Sequence, residues 1–419
     1  MILPPDTRPS TARPEAAGAA PLGTNAKSSD HPPAEDPEKR RRATRALRFQ
    51  AQSQARHILR CDALAQGAKY PGNVHRTAAC RHLKHADINV MYAQQHNAAF
   101  YAGLVTCGSV WSCPVCASRI QERRRLEIEQ AITWAESQGL VCVLVTFTFP
   151  HCHWHRLTDL IVQQRDAFKR LRYSKGYRKV KPVGLIRSLE VTHGSNGWHP
   201  HTHELWFCEP DNLPSQYTLA QLWETAASRA GLLDHVEPNS RHWAEFLVHG
   251  VDVKRDMTCG DYLAKQDDSR SWGFSHEVAK ATSKAGRAKG VHPHHFLIRK
   301  APGDDALFLE YHNAMKGARQ LFWTPGLKAK VQIEDLSDEV IADESRDPAD
   351  ILAHIPDDAW KLVRGNDARA ELLDAAESRG APAVRALLAA LGWSAPAAQR
   401  SGVDHPSGGH LTTDHGELR

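Results

Sequence analysis

"VGLIRSLEVTHGSNGWHPHTHELWF", residues 183–207, decides how this chain folds. Two apolar, β-branched runs, 183–193 and 198–207, flank Gly194-Ser195-Asn196-Gly197, a strong hairpin signal. In a strand, side chains alternate between faces, and residues two apart stand about 6.8 Å from each other on the same face. His199, His201 and His203 therefore share one face, while Thr202 and Glu204 share the other. The rings of His201 and His203 lean toward one point, and the partner strand brings Glu190 or His193 beside them. Two imidazoles and a carboxylate hold a divalent ion and leave positions open for a reacting group. A lone histidine on a strand is ordinarily a satisfied structural residue. A His-x-His pair facing a carboxylate is read here as a metal site of His201, His203 and Glu190.

The 419 residues are enough for one large core with appendages or for two domains. With 41% hydrophobic and 24% charged residues the composition is that of a soluble globular protein, which argues against a fibrous or wholly disordered chain. A net charge of +5 is compatible with a polyanionic partner without proving one. No apolar run approaches roughly 18 residues, so no membrane span is expected. The N-terminus lacks a signal-peptide apolar segment, and a cytoplasmic location is expected.

Nine cysteines in such a chain suit metal ligands and buried thiols better than a disulfide framework. "CGSVWSCPVC" places Cys107, Cys113 and Cys116 close together. Cys113-Pro-Val-Cys116 at a helix start suits zinc; a redox dithiol has the same spacing, but the third cysteine favours metal. Cys80 is the choice for a fourth ligand, with His82 and His85 as alternatives. Cys142 and Cys208, in apolar strands, are expected as buried free thiols.

Along the chain, residues 1–75 are expected as a disordered start followed by a basic arm. Within it "EKRRRATRALRFQAQSQARHILR" (38–60) is helical, and either a solvated charged helix or a contact for nucleic-acid phosphates. Residues 76–139 form a Cys-rich zinc-binding element and a helix, whose Ile128, Ala131, Ile132 and Ala135 share one face with Gly139 as its cap. Residues 140–332 form the catalytic domain. It contains strand 140–149, helix 156–172, the hairpin, helix 217–231, a strand over "EFLVHGVDVKR" (245–255), and a helix start at 258–266. Residues 333–395 form a small C-terminal helical unit and 396–419 a polar tail. The order of elements predicts an α+β fold, an antiparallel central sheet with helices on one face.

The motifs, in this order, resemble those of the plasmid and phage rolling-circle replication initiators of the HUH endonuclease superfamily, over roughly residues 76–390. "VTFTFPH" (145–151) resembles the family's first motif and "WHPHTHELWF" its His-x-His motif, with Thr202 where the family often has a hydrophobic residue. "YLAKQ" (262–266) resembles its nucleophile motif, and segments 277–287 and 309–328 resemble the bacterial plasmid Rep branch. The resemblance implies an HUH-type sheet and a site-specific single-strand DNA endonuclease and ligase. Tyr262 would attack a phosphate of the replication origin, giving a 5′-phosphotyrosine and a free 3′-hydroxyl, and Lys265, three residues on, would stabilise developing charge. The implied cofactors are Mg²⁺ or Mn²⁺ at the histidines and a structural Zn²⁺ at the cysteines. The implied partners are origin DNA, single-stranded at the nick, and a host helicase and polymerase. His199 would support a ligand or face DNA. Position 266 is Gln, so the second tyrosine of the Tyr-x-x-x-Tyr initiators is missing. Asp256 and Asp261 are candidates for activating water at termination, and Tyr311 is the next candidate nucleophile. An HUH transposase or relaxase shares this chemistry, and a non-catalytic, zinc-stabilised DNA-binding regulator is the reading from another class.

Overall fold

The computed structural model describes residues 36–69, 74–255, 290–343 and 348–394. Helix α1, Pro37–Ala65, comes first among the described residues, capped by the Asp36 side chain on Glu38 N (3.0 Å). Strands β1, Lys84–Ala93, and β2, Ala98–Leu104, follow, then α2, Pro114–Ser137, and β3, Val141–Phe147. Helices α3, Leu157–Tyr173, and α4, Lys175–Val180, precede the hairpin of β4, Gly184–Gly194, and β5, Gly197–Cys208. Next come α5, Gln216–Arg229, α6, Arg241–His249, and β6, Val251–Lys254. Beyond residue 290 lie α7, Phe296–Arg299, α8, Asp304–Ala314, β7, Leu321–Trp323, α9, Leu327–Lys330, and α10, Asp338–Ala342. Strand β8, Asp350–Ile355, α11, Asp357–Gly365, and α12, Arg369–Ala390, complete the described chain.

The fold is α+β with antiparallel sheets. The larger sheet has the order β6-β3-β5-β4-β7 and the smaller β2-β1-β8, every pairing antiparallel. Helices cover both faces of the larger sheet, not one. On one face, Val143, Val145, Phe147, Trp198 and Trp206 join a core built against α3 and α5. Helix α3 supplies Leu160, Ile161, Ala167, Phe168 and Leu171, buried at helical spacing, and Phe147 meets Phe168 and Trp223 edge-on at 5.3 and 5.2 Å. On the other face, α2 lays Ile128, Ala131, Ile132 and Ala135 over Cys142, Leu144, Ile186, Leu205 and Phe207 only. The polar end of that face carries the three histidines, beyond the apolar residues that α2 covers.

The structure redraws other expectations too. "EFLVH" is the end of helix α6, not strand: the Ser240 side chain caps Trp243 N (3.2 Å), Phe246 packs inward, and only Val251–Lys254 extends. The basic helix α1 is no solvated arm. Ala51, Ala55, Ile58 and Leu59 sit in the main core, while Arg41 and Arg45 pair with Glu377 and Asp374 of α12. In the segment read as wholly helical, Asp350–Ile355 is β8, paired with β1. These strands, α11, α12 and Phe49 of α1 share a second core. No helix among the described residues is long and apolar enough to cross a membrane.

Arg369 joins α12 to α1. It is 1% exposed, and its guanidinium donates to Gln52 Oε1 (2.6 Å), Ser53 Oγ (2.6 Å), Arg81 O (3.1 Å) and Asp367 Oδ1 (2.7 Å). Arg369→Ala removes that donor from several buried acceptors and should destabilise the protein by roughly 3–5 kcal/mol. Denaturant unfolding checks this; a loss under about 1 kcal/mol would place the join elsewhere.

Candidate active site

The hairpin turns through Ser195 and Asn196 alone, with Gly194 paired to Gly197. Gly197 has φ +83°, and a Cβ there would meet His153 Cα at 2.8 Å, so the turn accepts only glycine. The register then sets Thr192 opposite His199, Glu190 opposite His201 and Ser188 opposite His203. Of the two residues offered by β4, Glu190 lies on the histidine side. His193 pairs with Trp198 on the other face, their rings 4.8 Å apart.

Glu190 Oε2 stands 3.1 Å from His201 Nε2 and 3.2 Å from His203 Nε2. The opposite ring nitrogens have their own partners. His201 Nδ1–H donates to the carbonyl oxygen of His199 (3.3 Å), and Thr146 Oγ1 lies 3.0 Å from His203 Nδ1. These outer contacts aim both Nε2 atoms inward. Two imidazole nitrogens and one carboxylate oxygen so close together suit a shared cation, whether protons on the rings or a metal ion. Burial pushes the Glu190 carboxyl up, but the hydrogen bonds from both histidines outweigh it and hold the pKa at about 2. Burial opposes protonation of His201 as well, yet its bond to Glu190 raises its pKa.

Around this triad stand groups the sequence reading did not single out. Thr148 Oγ1 holds His199 Nε2 at 2.7 Å, and His151 stacks on His199 at 4.6 Å. Burial, then the neighbouring His201 and His151, push the His199 pKa down to about 3, so its ring is neutral. Asp252 of β6 pairs with Thr146, which pairs with His203, so all three lie on one row of the histidine-bearing face. The alternation in "VDVK" was the signal for Asp252. Beneath the site, Glu204 is fully buried, ion-paired to Arg172 and accepting from Trp206 Nε1 (2.8 Å). Gln164 Nε2 reaches Thr202 Oγ1 at 3.1 Å.

Tyr262, Lys265, Asp256 and Asp261 lie outside the described residues. Tyr311 is fully buried between Trp111 and Trp198, where no DNA phosphate reaches it.

The structure brings Cys80, Cys107, Cys113 and Cys116 together, all buried, their sulfurs within 4.8 Å of one another. Cys80–Cys116 is 3.5 Å, Cys107–Cys116 3.7 Å and Cys80–Cys113 3.7 Å. Sulfurs on a tetrahedral zinc with bonds of about 2.3 Å stand roughly 3.8 Å apart. Cys113 occupies the N-cap position of α2, and burial, then the neighbouring thiols, push its own pKa up. Ser109 N–H donates to Cys107 Sγ (3.4 Å), and hydrogen bonds from neighbouring thiols hold Cys107 well below the ordinary thiol range. Neither His82 nor His85 joins the cluster. Cys142 and Cys208 are buried and form no disulfide.

Residues 102–235 match a family model described as a replication protein, a span that holds three of the four cysteines and the whole histidine hairpin. A "Protein rep" of Streptomyces lividans is 28% identical over 329 residues, 63% of this chain and 70% of that protein. A "Neomycin resistance protein" of Streptomyces cyanogenus is 32% identical over 149 residues, 28% of this chain and 34% of that protein. A "Protein rep" of Bacillus amyloliquefaciens is 30% identical over 131 residues, 29% of this chain and 37% of that one. No solved structure matches the chain. The resemblance read from the motifs is borne out to this extent: residues 102–235 are similar to a replication-protein family, and proteins named Rep from Streptomyces and Bacillus are similar to this chain.

Proposed function

We propose that the protein starts rolling-circle replication of a plasmid by nicking single-stranded origin DNA and rejoining it at termination, on a sheet of HUH type. The observation that carries this reading is the convergence of Nε2 of His201 and His203 on one Glu190 oxygen, at 3.1 and 3.2 Å, with both outer nitrogens already engaged. Those groups suit a divalent cation, Mg²⁺ or Mn²⁺, which when bound would polarise a non-bridging phosphate oxygen.

Tyr262, assigned by its motif, is the nucleophile. Its phenol oxygen loses its proton and bonds to phosphorus; the bond from phosphorus to the 3′ oxygen breaks, and that oxygen takes up a proton. The products are a 5′-phosphotyrosine and a 3′-hydroxyl for a host polymerase working behind a host helicase. The ester keeps the bond energy, so the reverse attack by a 3′-hydroxyl reseals the strand. Lys265 offsets charge on the phosphate as it develops. Thr146 and the His199 carbonyl keep the ligand rings in register, and Thr148 holds His199 beside them. The thiol cluster binds a structural Zn²⁺ that joins the segment around Cys80 to the start of α2.

His201→Ala and His203→Ala should slow cleavage of single-stranded origin DNA by about 100-fold or more, since several kcal/mol of charge stabilisation go with the ion. DNA affinity should hardly change, because phosphate contacts by Lys and Arg dominate it. Glu190→Gln should be partly restored by added Mn²⁺. Cleavage titrated against divalent cation reads all three; undiminished cleavage by either alanine variant would return these histidines to a structural role.

Tyr262→Phe should bind origin DNA like the parent and form no covalent adduct on denaturing gels. A persisting adduct would move the nucleophile to another residue, though not to the buried Tyr311.

Cys113→Ser should lower bound zinc and melt roughly 5–10 °C below the parent, since the ligands of a closed site converge only in the folded state. Unchanged zinc and melting would leave the cluster as buried thiols.

A further inference from the structure

Among the described residues a third group of metal-type ligands stands apart from the histidine strand and the thiol cluster. Cys152 and His155 lie in the β3–α3 loop, "FPHCHWH", and His235 lies in the loop between α5 and α6. Their ligand atoms fall within 4.8 Å of one another, and the rings of His155 and His235 meet edge-on at 4.5 Å. The Cys-x-x-His turn is tight: His155 N–H donates to Cys152 O (3.0 Å) and Cys152 N–H to His155 Nδ1 (3.1 Å). His235 Nε2 is buried and has no hydrogen-bond partner among the described residues, an arrangement that is unfavourable unless something binds it.

We propose that Cys152, His155 and His235 bind a zinc ion that staples the β3–α3 loop to the α5–α6 loop. One thiolate and two imidazoles select zinc over Mg²⁺ or Ca²⁺, which prefer oxygen ligands. Three protein ligands leave the fourth position to water. Binding releases the Cys152 proton. A neutral imidazole has one lone-pair nitrogen, so coordination by His155 replaces its bond from Cys152 N–H, directly at Nδ1 or through a proton shift when Nε2 binds.

The staple has a target. The loop is seated on the hairpin, where Gly197 leaves room for His153. His151, next to Cys152, stacks on His199, which stacks on His201 at 4.8 Å. Fixing Cys152 and His155 therefore fixes the outer end of the histidine row. The inference is independent of the reaction proposed above.

The test is zinc content and melting of the full-length chain, measured for the parent and for Cys152→Ser, His155→Gln, His235→Ala and Cys113→Ser, together with visible spectra after cobalt replacement. Cys152→Ser, His155→Gln and His235→Ala should each carry about one equivalent of zinc less than the parent and lose the same cobalt band. Cys113→Ser should lose a different, thiolate-rich band. Cys152 is half-exposed and serine nearly matches its size, so that variant should fold, and its melting curve verifies this. Parent-like zinc and cobalt spectra in folded Cys152→Ser and His235→Ala would overturn the proposal, whatever becomes of the nicking activity.

Discussion

The register of one hairpin governs everything on the histidine-bearing face of the sheet. Glu190 meets His201 because the turn uses two residues and Gly197 lets the chain pass His153. A shift by one residue would move every side chain of β5 to the other face. The histidines would then enter the core against α3, and Glu204 and Trp206 would face α2 and solvent. The same register that assembles the triad thus also assembles the core beneath it, and neither can be adjusted alone.

That core is unusual in holding an ion pair directly under the site. Glu204 and Arg172 are enclosed by Trp206 and Tyr177, and the guanidinium lies 4.5 Å from the Tyr177 ring centre. A buried pair of this kind adds little net stability over an apolar filling, but removing one partner leaves an expensive charge behind. Its geometry is directional, where packing by Leu or Val would tolerate sliding. Together with Gln164 on Thr202 it pins β5 from below, at the residues alternating with His201 and His203.

Much of the site was legible in the sequence because short-range rules fix it. Period-two alternation put His201 and His203 on one face, the Gly-Ser-Asn-Gly turn paired them with β4, and the Cys-x-x-Cys spacing marked the start of α2. What was illegible depends on distant partners. Glu190 and Cys80 were chosen from the sequence, and the structure places Glu190 beside the histidines and Cys80 among the other thiols; elements closed by remote partners escaped that reading. Strand β8 has no alternation to announce it, since Ile351 is 65% exposed, and it forms because β1 offers an edge. The end of α6 misled because five apolar-rich residues suit helix or strand equally, and its capping Ser240 decided the matter from outside the stretch. Thr146, Thr148 and Asp252 gain their roles only from neighbours across the sheet.

Helix α1 finds its acidic partners on α12, with Arg41 bonded to Glu377 across 336 positions of sequence. The same embrace places β8 beside β1. A ribosome emits the chain from its N-terminus, so the first helix and the first strand leave the tunnel long before anything exists for them to close against. The histidine hairpin can form early from local contacts, but the second core must wait for the last quarter of the chain. During that interval Arg41 and Arg45 lack their carboxylate partners on α12, and Phe49 lacks the second core it joins. The contact between α1 and α12 therefore cannot form until α12 has been made, and a chain cut short before α12 would leave the second core incomplete.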